Sequence, residues 1–140
     1  MPSWDEVRAH LKEPFTLAME TEELVGLVFR FRLPEGERVQ AVRVSPVQIA
    51  EEPWVVVLAD LCPDVGLSTG QAIDLQGGLL FGALVVRKGI WLLRHSLPMD
   101  RLAWPDLDRA PRLVAHEGMR IRRLLGGIQV DAGVFSSYED

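Results

Sequence analysis

Apolar residues fill most positions between Leu79 and Pro98, and a Lys88–Gly89 pair interrupts them in the middle. A two-residue turn at that pair predicts a β-hairpin in which directly opposed residues share a face. One face then carries the pairs Val86/Trp91, Leu84/Leu93 and Gly82/His95, and the other carries Arg87/Ile90, Val85/Leu92 and Ala83/Arg94. A sheet with one side in water alternates strictly between apolar and polar residues. Because this hairpin has apolar residues on both faces, we expect helices of the chain to cover one face and further chain, a second subunit or a client protein to cover the other.

A helix and three main strands are predicted before the hairpin. Ser3 and Glu6 have the spacing of a capping box, and Pro14 ends the helix that they begin. Alternating or continuous apolar residues then predict strands over 24–32, 38–49 and 54–61. The alternation slips between Ala41 and Val42, which favours a bulge there. Pro46 indicates that the far part of the second strand lies at an edge.

Two further helices follow. Ser68 and Thr69 precede a short helical pattern at 70–76, in which Ala72, Ile73 and Leu75 are expected to face inward. After the hairpin, Pro105 fits the first turn of a long helix that ends near Leu125. Pro111 is expected to kink that helix or to move its start toward Asp108. The apolar stripe of the long helix is Leu107, Leu113, Val114, Ile121, Leu124 and Leu125.

These elements predict an α+β fold, in which an antiparallel sheet of about five strands packs against the N-terminal helix and the long C-terminal helix. The order is helix, strands, helix, hairpin, helix. With 140 residues the chain fits one domain, which we place at 1–125. Residues 126–140 are expected to form a mobile tail unless their apolar side chains find a groove.

Composition and charge narrow the function classes. No apolar run is long enough to span a bilayer, and the N-terminus does not match a secretory signal, so we expect a cytoplasmic protein without a membrane partner. The only cysteine, Cys62, cannot form an internal disulfide. A net charge of −5 argues against direct nucleic-acid binding and favours a basic partner at long range. A basic protein that itself binds nucleic acid is one candidate.

The run from Trp54 to Pro98 carries a recognisable pattern. It consists of W-x-x-x-x-A-x-L-x-P at Trp54 to Pro63, a short helix, and then FGALVV and WLLRHSLP. This pattern resembles the YbjN-like bacterial proteins and, more distantly, the class I chaperones of type III secretion, over about residues 3–125. The resemblance implies a compact α+β homodimer without enzymatic activity, and the secretion chaperones wrap an extended client segment around apolar surface. Pro111 and the glycine-bounded tail depart from the pattern.

Catalytic chemistry has little support in the sequence. His10, His95 and His116 lack a second ligand at metal-binding spacing, and the glycines at 77, 78 and 82 lack the lysine of a phosphate-binding loop, so we expect no metal and no cofactor. Cys62 with His95 is the one credible thiol–base pair, although an apolar setting leaves a thiol protonated. Five strand arginines could form a modest basic patch or pair with nearby carboxylates: Arg30, Arg32, Arg43, Arg87 and Arg94.

Three hypotheses follow. The first is a non-catalytic homodimeric protein-binding module, chaperone-like or an adaptor, with no enzymatic activity. Its binding or dimer residues are predicted to be Leu84, Val86, Trp91, Leu93, Val85 and Leu92. The alternative is a sensor that holds a small apolar ligand between the sheet and the long helix. The third is a hydrolase or thiol enzyme that uses Cys62 and His95.

Overall fold

A computed structural model describes residues 2–79 and 81–126, and it shows an antiparallel sheet with helices on one face. In chain order the elements are α1 (Trp4–Leu11), β1 (Leu17–Thr21), β2 (Leu24–Leu33), β3 (Gly36–Ile49), β4 (Glu52–Pro63), α2 (Thr69–Gly77), β5 (Ala83–Arg87), β6 (Ile90–Pro98) and α3 (Trp104–Leu124). A short 3-10 helix, Asp64–Gly66, joins β4 to α2. Within the described residues the sheet has six strands, in the order β1-β2-β3-β4-β6-β5, rather than about five. The α+β prediction is confirmed.

The predicted hairpin is present with the predicted register. Leu84 lies opposite Leu93, Val85 opposite Leu92, and Val86 opposite Trp91. Lys88 and Gly89 both have positive φ angles, 51° and 77°, which is the conformation of a type I′ turn. The turn therefore sets the register, because its geometry brings each residue before it opposite a fixed residue after it.

One face of the sheet, here called the covered face, holds the core. The fully buried side chains of this face come from every long strand, and those of Val7 and Leu11 on α1 and of Val114 and Ile121 on α3 pack against them. The sheet contributes Val25, Leu27, Val42, Val44, Val55, Val57, Ala59, Leu61 and Leu93. Ser3 caps α1 through Glu6 as predicted, which places Val7 and Leu11 on the inner side of the helix.

The opposite face, here called the open face, is formed by the alternate residues of the same strands. Ala41, Leu58 and Leu92 are buried on it, although the core clusters of the described residues contain no side chain from this face. The register places Leu58 between Arg43 on β3 and Arg94 on β6. Long arginine side chains commonly cover apolar surface with their aliphatic stems while the charged ends stay in water. Neighbouring side chains of the sheet thus shield this face.

Two sequence predictions about β3 have different outcomes. The bulge expected between Ala41 and Val42 is wrong, because pairing with β2 runs without a register shift through both residues. The irregularities lie instead between Leu17 and Met19 on β1 and between Asp60 and Cys62 on β4. The edge position of Pro46 is confirmed, since β2 pairs with β3 only as far as Val44 and Pro46 pairs with β4.

The helices also correct the sequence analysis in detail. Ser68 and Gln71 cap α2, but Ile73 is 66% exposed rather than inward-facing. Helix α3 begins at Trp104 and is one continuous helix through Pro111, so the proline does not move its start. Leu113 and Leu124, predicted on its apolar stripe, are exposed. The reason is that the side of α3 that faces the sheet includes Val114, Ala115 and Ile121, and Leu113 and Leu124 lie off that side.

The remaining observations concern the ends of the chain. Apart from Gly126, the predicted tail at 126–140 lies outside the described residues, and the domain boundary at 125 remains a prediction. Among the helices that the structure describes, none is long and apolar enough to cross a membrane.

Candidate protein-binding surfaces

The six residues predicted for binding occupy different environments. Leu93 is fully buried under the helices on the covered face, and Leu92 is only 2% exposed on the open face. Leu84, Val85 and Trp91 are half-buried, and Val86 is 45% exposed. The structure brings Leu84, Val86, Trp91 and Leu93 together on the covered face, and it places Val85 and Leu92 on the open face. Their role in binding remains a prediction, for which Val86 offers the most accessible surface.

Two exposed apolar residues that the sequence analysis did not assign to binding lie on elements that are hydrogen-bonded to the hairpin. Val65, in the 3-10 helix, is 93% exposed. A hydrogen bond connects this helix to the hairpin, because the backbone N–H of Asp64 donates to the Gly89 carbonyl at 2.8 Å. Ile73 is exposed on α2, one turn before Gln76, whose side chain contacts β5. We call Val65, Ile73, Leu84 and Val86 the α2–β5 surface. No local signal in the sequence identifies this surface, because the apolar residues of α2 fit more than one stripe.

The free edge of β5 is partly closed by α2. The side-chain oxygen of Gln76 accepts a hydrogen bond from the backbone N–H of Leu84 at 2.7 Å. Trp91, opposite Val86, donates its indole N–H to the carbonyl of Asp64 at 3.3 Å. These two bonds hold α2 and the 3-10 helix against the hairpin, so the α2–β5 surface is formed by fixed elements.

The open face collects the five strand arginines. Arg30 and Arg32 alternate with the inward Phe29 and Phe31 on β2, while Arg43, Arg87 and Arg94 occupy outward register positions on β3, β5 and β6. The prediction that these arginines share one sheet surface is therefore confirmed. Two of them meet carboxylates, as the alternative expected: Arg43 Nη2 lies 2.7 Å from Asp60 Oδ1, and Arg30 Nη1 lies 3.2 Å from Glu37 Oε1.

A small pocket opens on the same face near the hairpin turn. Its volume is about 140 Å³, and its apolar floor is formed by Leu58, Ile90 and Leu92. Cationic side chains surround the floor: Arg43, Arg87 and Lys88. A pocket with this lining suits an apolar group that is attached to negative charge.

The proposed thiol–base pair is not assembled. Cys62 lies opposite Trp91 on β6, whereas His95 lies four residues further along that strand, opposite Val57. Four residues of a β-strand span about 13 Å, which is too far for proton transfer between the two side chains. Burial raises the pKa of the Cys62 thiol and lowers the pKa of the His95 imidazole. The raised pKa leaves the thiol protonated, and together with the separation it argues against the thiol-enzyme hypothesis.

The place predicted for a small ligand is closely packed. Helix α3 meets the sheet at Gly118, where an added Cβ would lie 3.3 Å from Ala59 Cβ. Such an approach leaves no space for a ligand at that point between helix and sheet. In the part of the chain that the structure describes, no three His, Cys, Asp or Glu side chains cluster as a metal site would require. The ligand-sensor alternative remains a prediction without a cavity at that point.

No protein-family model matches the chain, and no curated protein matches it. A chain in the solved structure of the HopA1-SchA chaperone-effector complex has a similar fold, with a TM-score of 0.53 and 16% sequence identity. The match covers 85% of this chain and 89% of that chain. At this identity the likeness concerns the fold alone. The chain thus has a chaperone-like α+β fold, as the resemblance to the secretion chaperones implied, whereas the likeness to YbjN-like proteins remains a prediction.

Proposed function

We propose that this chain is a non-catalytic, chaperone-like protein-binding module that forms a homodimer and contacts another protein through exposed apolar surface. We further propose that it acts in the cytoplasm, a reducing compartment in which a free cysteine such as Cys62 persists. The observation that carries the proposal is the α2–β5 surface, on which Val65, Ile73 and Val86 expose large apolar side chains from the 3-10 helix, α2 and β5.

The physical argument concerns the cost of that exposure. Burying a valine, leucine or isoleucine side chain gains about 1.5–3 kcal/mol, so several neighbouring exposed residues supply a substantial part of an association energy. Contiguous apolar patches on soluble monomers commonly mark interaction sites, because such patches promote aggregation when no partner covers them. The bonds from Gln76 and Trp91 fix the surface before any partner arrives, which lowers the entropic cost of binding.

The fold likeness supports the choice of partner class. The similar chain belongs to a complex between a chaperone and an effector, in which one protein binds another. The chemistry of this chain agrees with such a role, since its one cysteine is buried and lies far from the histidine that could activate it. A binding role therefore accounts for the exposed apolar residues, and an enzymatic role does not.

Sedimentation equilibrium at micromolar concentration tests the dimer. We expect wild type to have twice the 15.7 kDa mass of one chain, and the exposed substitutions Val86→Glu and Ile73→Glu to yield monomers. Leu113→Glu is the matched control, because Leu113 is an exposed apolar residue on α3, outside the α2–β5 surface. Circular dichroism of each variant must show an unchanged fold.

Affinity capture from an extract of the source organism, read by mass spectrometry, tests the client. A protein retained by wild type and by Leu113→Glu, but lost with Val86→Glu, supports the proposal. Wild type that is monomeric and retains the same proteins as Val86→Glu refutes it.

A further inference from the structure

We propose that the open face is a second binding surface, which receives an extended acidic segment of a partner protein and holds one of its apolar side chains in the pocket floored by Leu58 and Leu92. This inference rests on the proposed function only in taking the chain to be a protein-binding module. It adds the chemistry of the partner, and it concerns the face of the sheet that α1 and α3 do not cover.

The charge of the open face differs from that of the chain. The chain has a net charge of −5, yet the cationic side chains of this face, with Lys88 at the turn, outnumber its carboxylates. Among residues 2–79 and 81–126, none of Arg32, Arg87, Lys88 and Arg94 has a carboxylate within 4.0 Å. Cationic side chains without a carboxylate partner attract the carboxylates of another protein.

The apolar floor selects the shape of the occupant. The pocket of about 140 Å³ is close to a cavity of about 150 Å³ that accepts benzene, so it fits one leucine or phenylalanine side chain. Drug-sized ligands occupy about 300–1,000 Å³, which is more than this pocket offers. One apolar side chain flanked by carboxylates matches the floor of Leu58, Ile90 and Leu92 with its rim of Arg43, Arg87 and Lys88.

A protein segment fits the open face better than nucleic acid does. Proteins that bind single strands stack the bases on aromatic side chains, whereas the lining of this pocket is aliphatic and cationic. The remainder of the chain carries the negative charge, which repels a long polyanion more strongly than a short acidic segment. The net charge of −5 of the whole chain predicted a basic partner. The arginines gathered on the open face instead predict an acidic partner for this surface.

Fluorescence anisotropy with a synthetic peptide tests the inference on the full chain. The probe is a fluorescein-labelled nonapeptide with one central phenylalanine among glutamates. We expect Arg87→Glu to weaken binding about tenfold, because an attraction at the rim becomes a repulsion. Arg109→Glu is the matched control, since it makes the same charge change at an exposed position on α3. Replacing the phenylalanine of the probe by alanine should also weaken binding about tenfold, through the lost apolar burial.

Four results overturn the inference. The first is equal affinity of Arg87→Glu and Arg109→Glu for the probe, and the second is equally tight binding of a probe with lysines in place of the glutamates. The third is tighter binding of a labelled oligothymidine that Arg87→Glu abolishes, and the fourth is a severalfold gain in affinity for the probe when Phe135→Ser changes an apolar residue of the predicted tail at 126–140. The third assigns the face to nucleic acid, and the fourth assigns it to the chain's own acidic C-terminal residues. Val86→Glu, which tests the proposed function, should leave probe affinity unchanged, and Arg87→Glu should leave the sedimentation mass unchanged. Failure of one proposal is therefore distinguishable from failure of the other.

Discussion

The buried guanidinium of Arg122 gives the sharpest test of the packing between α3 and the sheet. Arg122 is fully buried, and its Nη1 donates to the Val39 carbonyl and to Gln40 Oε1, both at 3.0 Å. The Gln40 carboxamide in turn donates to the carbonyls of Ala41 and Asp60, so its orientation is fixed. Arg122→Met keeps the aliphatic stem and removes the charged group that makes both hydrogen bonds, so the Val39 carbonyl and Gln40 Oε1 lose this donor inside the protein.

The magnitude follows from those two hydrogen bonds. A hydrogen bond to a charged group contributes about 1.5–3 kcal/mol, so losing two costs about 3–6 kcal/mol. The substitution also removes the cost of burying a charge, which places the expected loss near the lower limit, at about 3 kcal/mol. For a chain of this length that corresponds to a fall in Tm of roughly 10 °C. Urea unfolding followed by circular dichroism measures the change in the free energy of unfolding.

Two companion variants make the test specific. Arg123→Met changes the neighbouring arginine, whose pair with Glu35 lies at the surface, and we expect it to leave stability unchanged within error. Adding Gln40→Leu to Arg122→Met replaces both polar partners, and the double variant should lose about 1–2 kcal/mol less than the sum of the single variants. An Arg122→Met loss no larger than that of Arg123→Met would refute the reasoning.

Three more predictions address close packing and the two shifted pKa values. Gly118→Leu should lower the free energy of unfolding in urea by about 1–3 kcal/mol, because Ala59 leaves no room for a side chain. Gly70→Leu, at a position with open space, should not lower it, and equal losses in the two variants would contradict this packing. Cys62 should react slowly with iodoacetamide near neutral pH and quickly once urea unfolds the chain, because burial raises the pKa of its thiol; a fast native reaction would contradict that burial. Burial lowers the pKa of His95 from its ordinary value of 6.5, so below that pH the folded chain binds fewer protons than the unfolded chain and loses stability. Between about pH 7.5 and pH 5.5 the free energy of unfolding of wild type should therefore fall more than that of His95→Gln. Equal falls in the two proteins would rule the effect out.

Local signals in the sequence predicted much of the fold. The Lys88–Gly89 pair determined the hairpin register, because Gly89 readily takes the positive φ angle that the second turn position requires, and Lys88 takes a positive φ angle beside it. The capping boxes of Ser3 and Ser68 likewise fixed the starts of two helices through side-chain hydrogen bonds to nearby backbone. Such signals depend on residues close in sequence, so a single chain reveals them.

The features that were missed depend on contacts distant in sequence. Arg122 and Gln40 were not expected in the core, because a charged residue on a helix is predicted at the surface unless its partner is known. Ile73 was placed inward because α2 is short and its apolar residues fit more than one stripe. The pocket on the open face is lined by residues of four strands and a turn, and only the register brings them together.

The carboxamide of Gln76 limits how a second chain can join β5. Continuing a sheet from one molecule into the next requires free backbone donors along the outer strand, and the amide of Leu84 is already engaged at 2.7 Å. A strand of a second chain could pair with β5 at Leu84 only after the hydrogen bond between Gln76 and Leu84 breaks. Two copies that meet at this edge should therefore associate through packing of aliphatic side chains and not through a continuous sheet. Amide hydrogen exchange at Leu84 should then be equally slow in the free and the assembled protein.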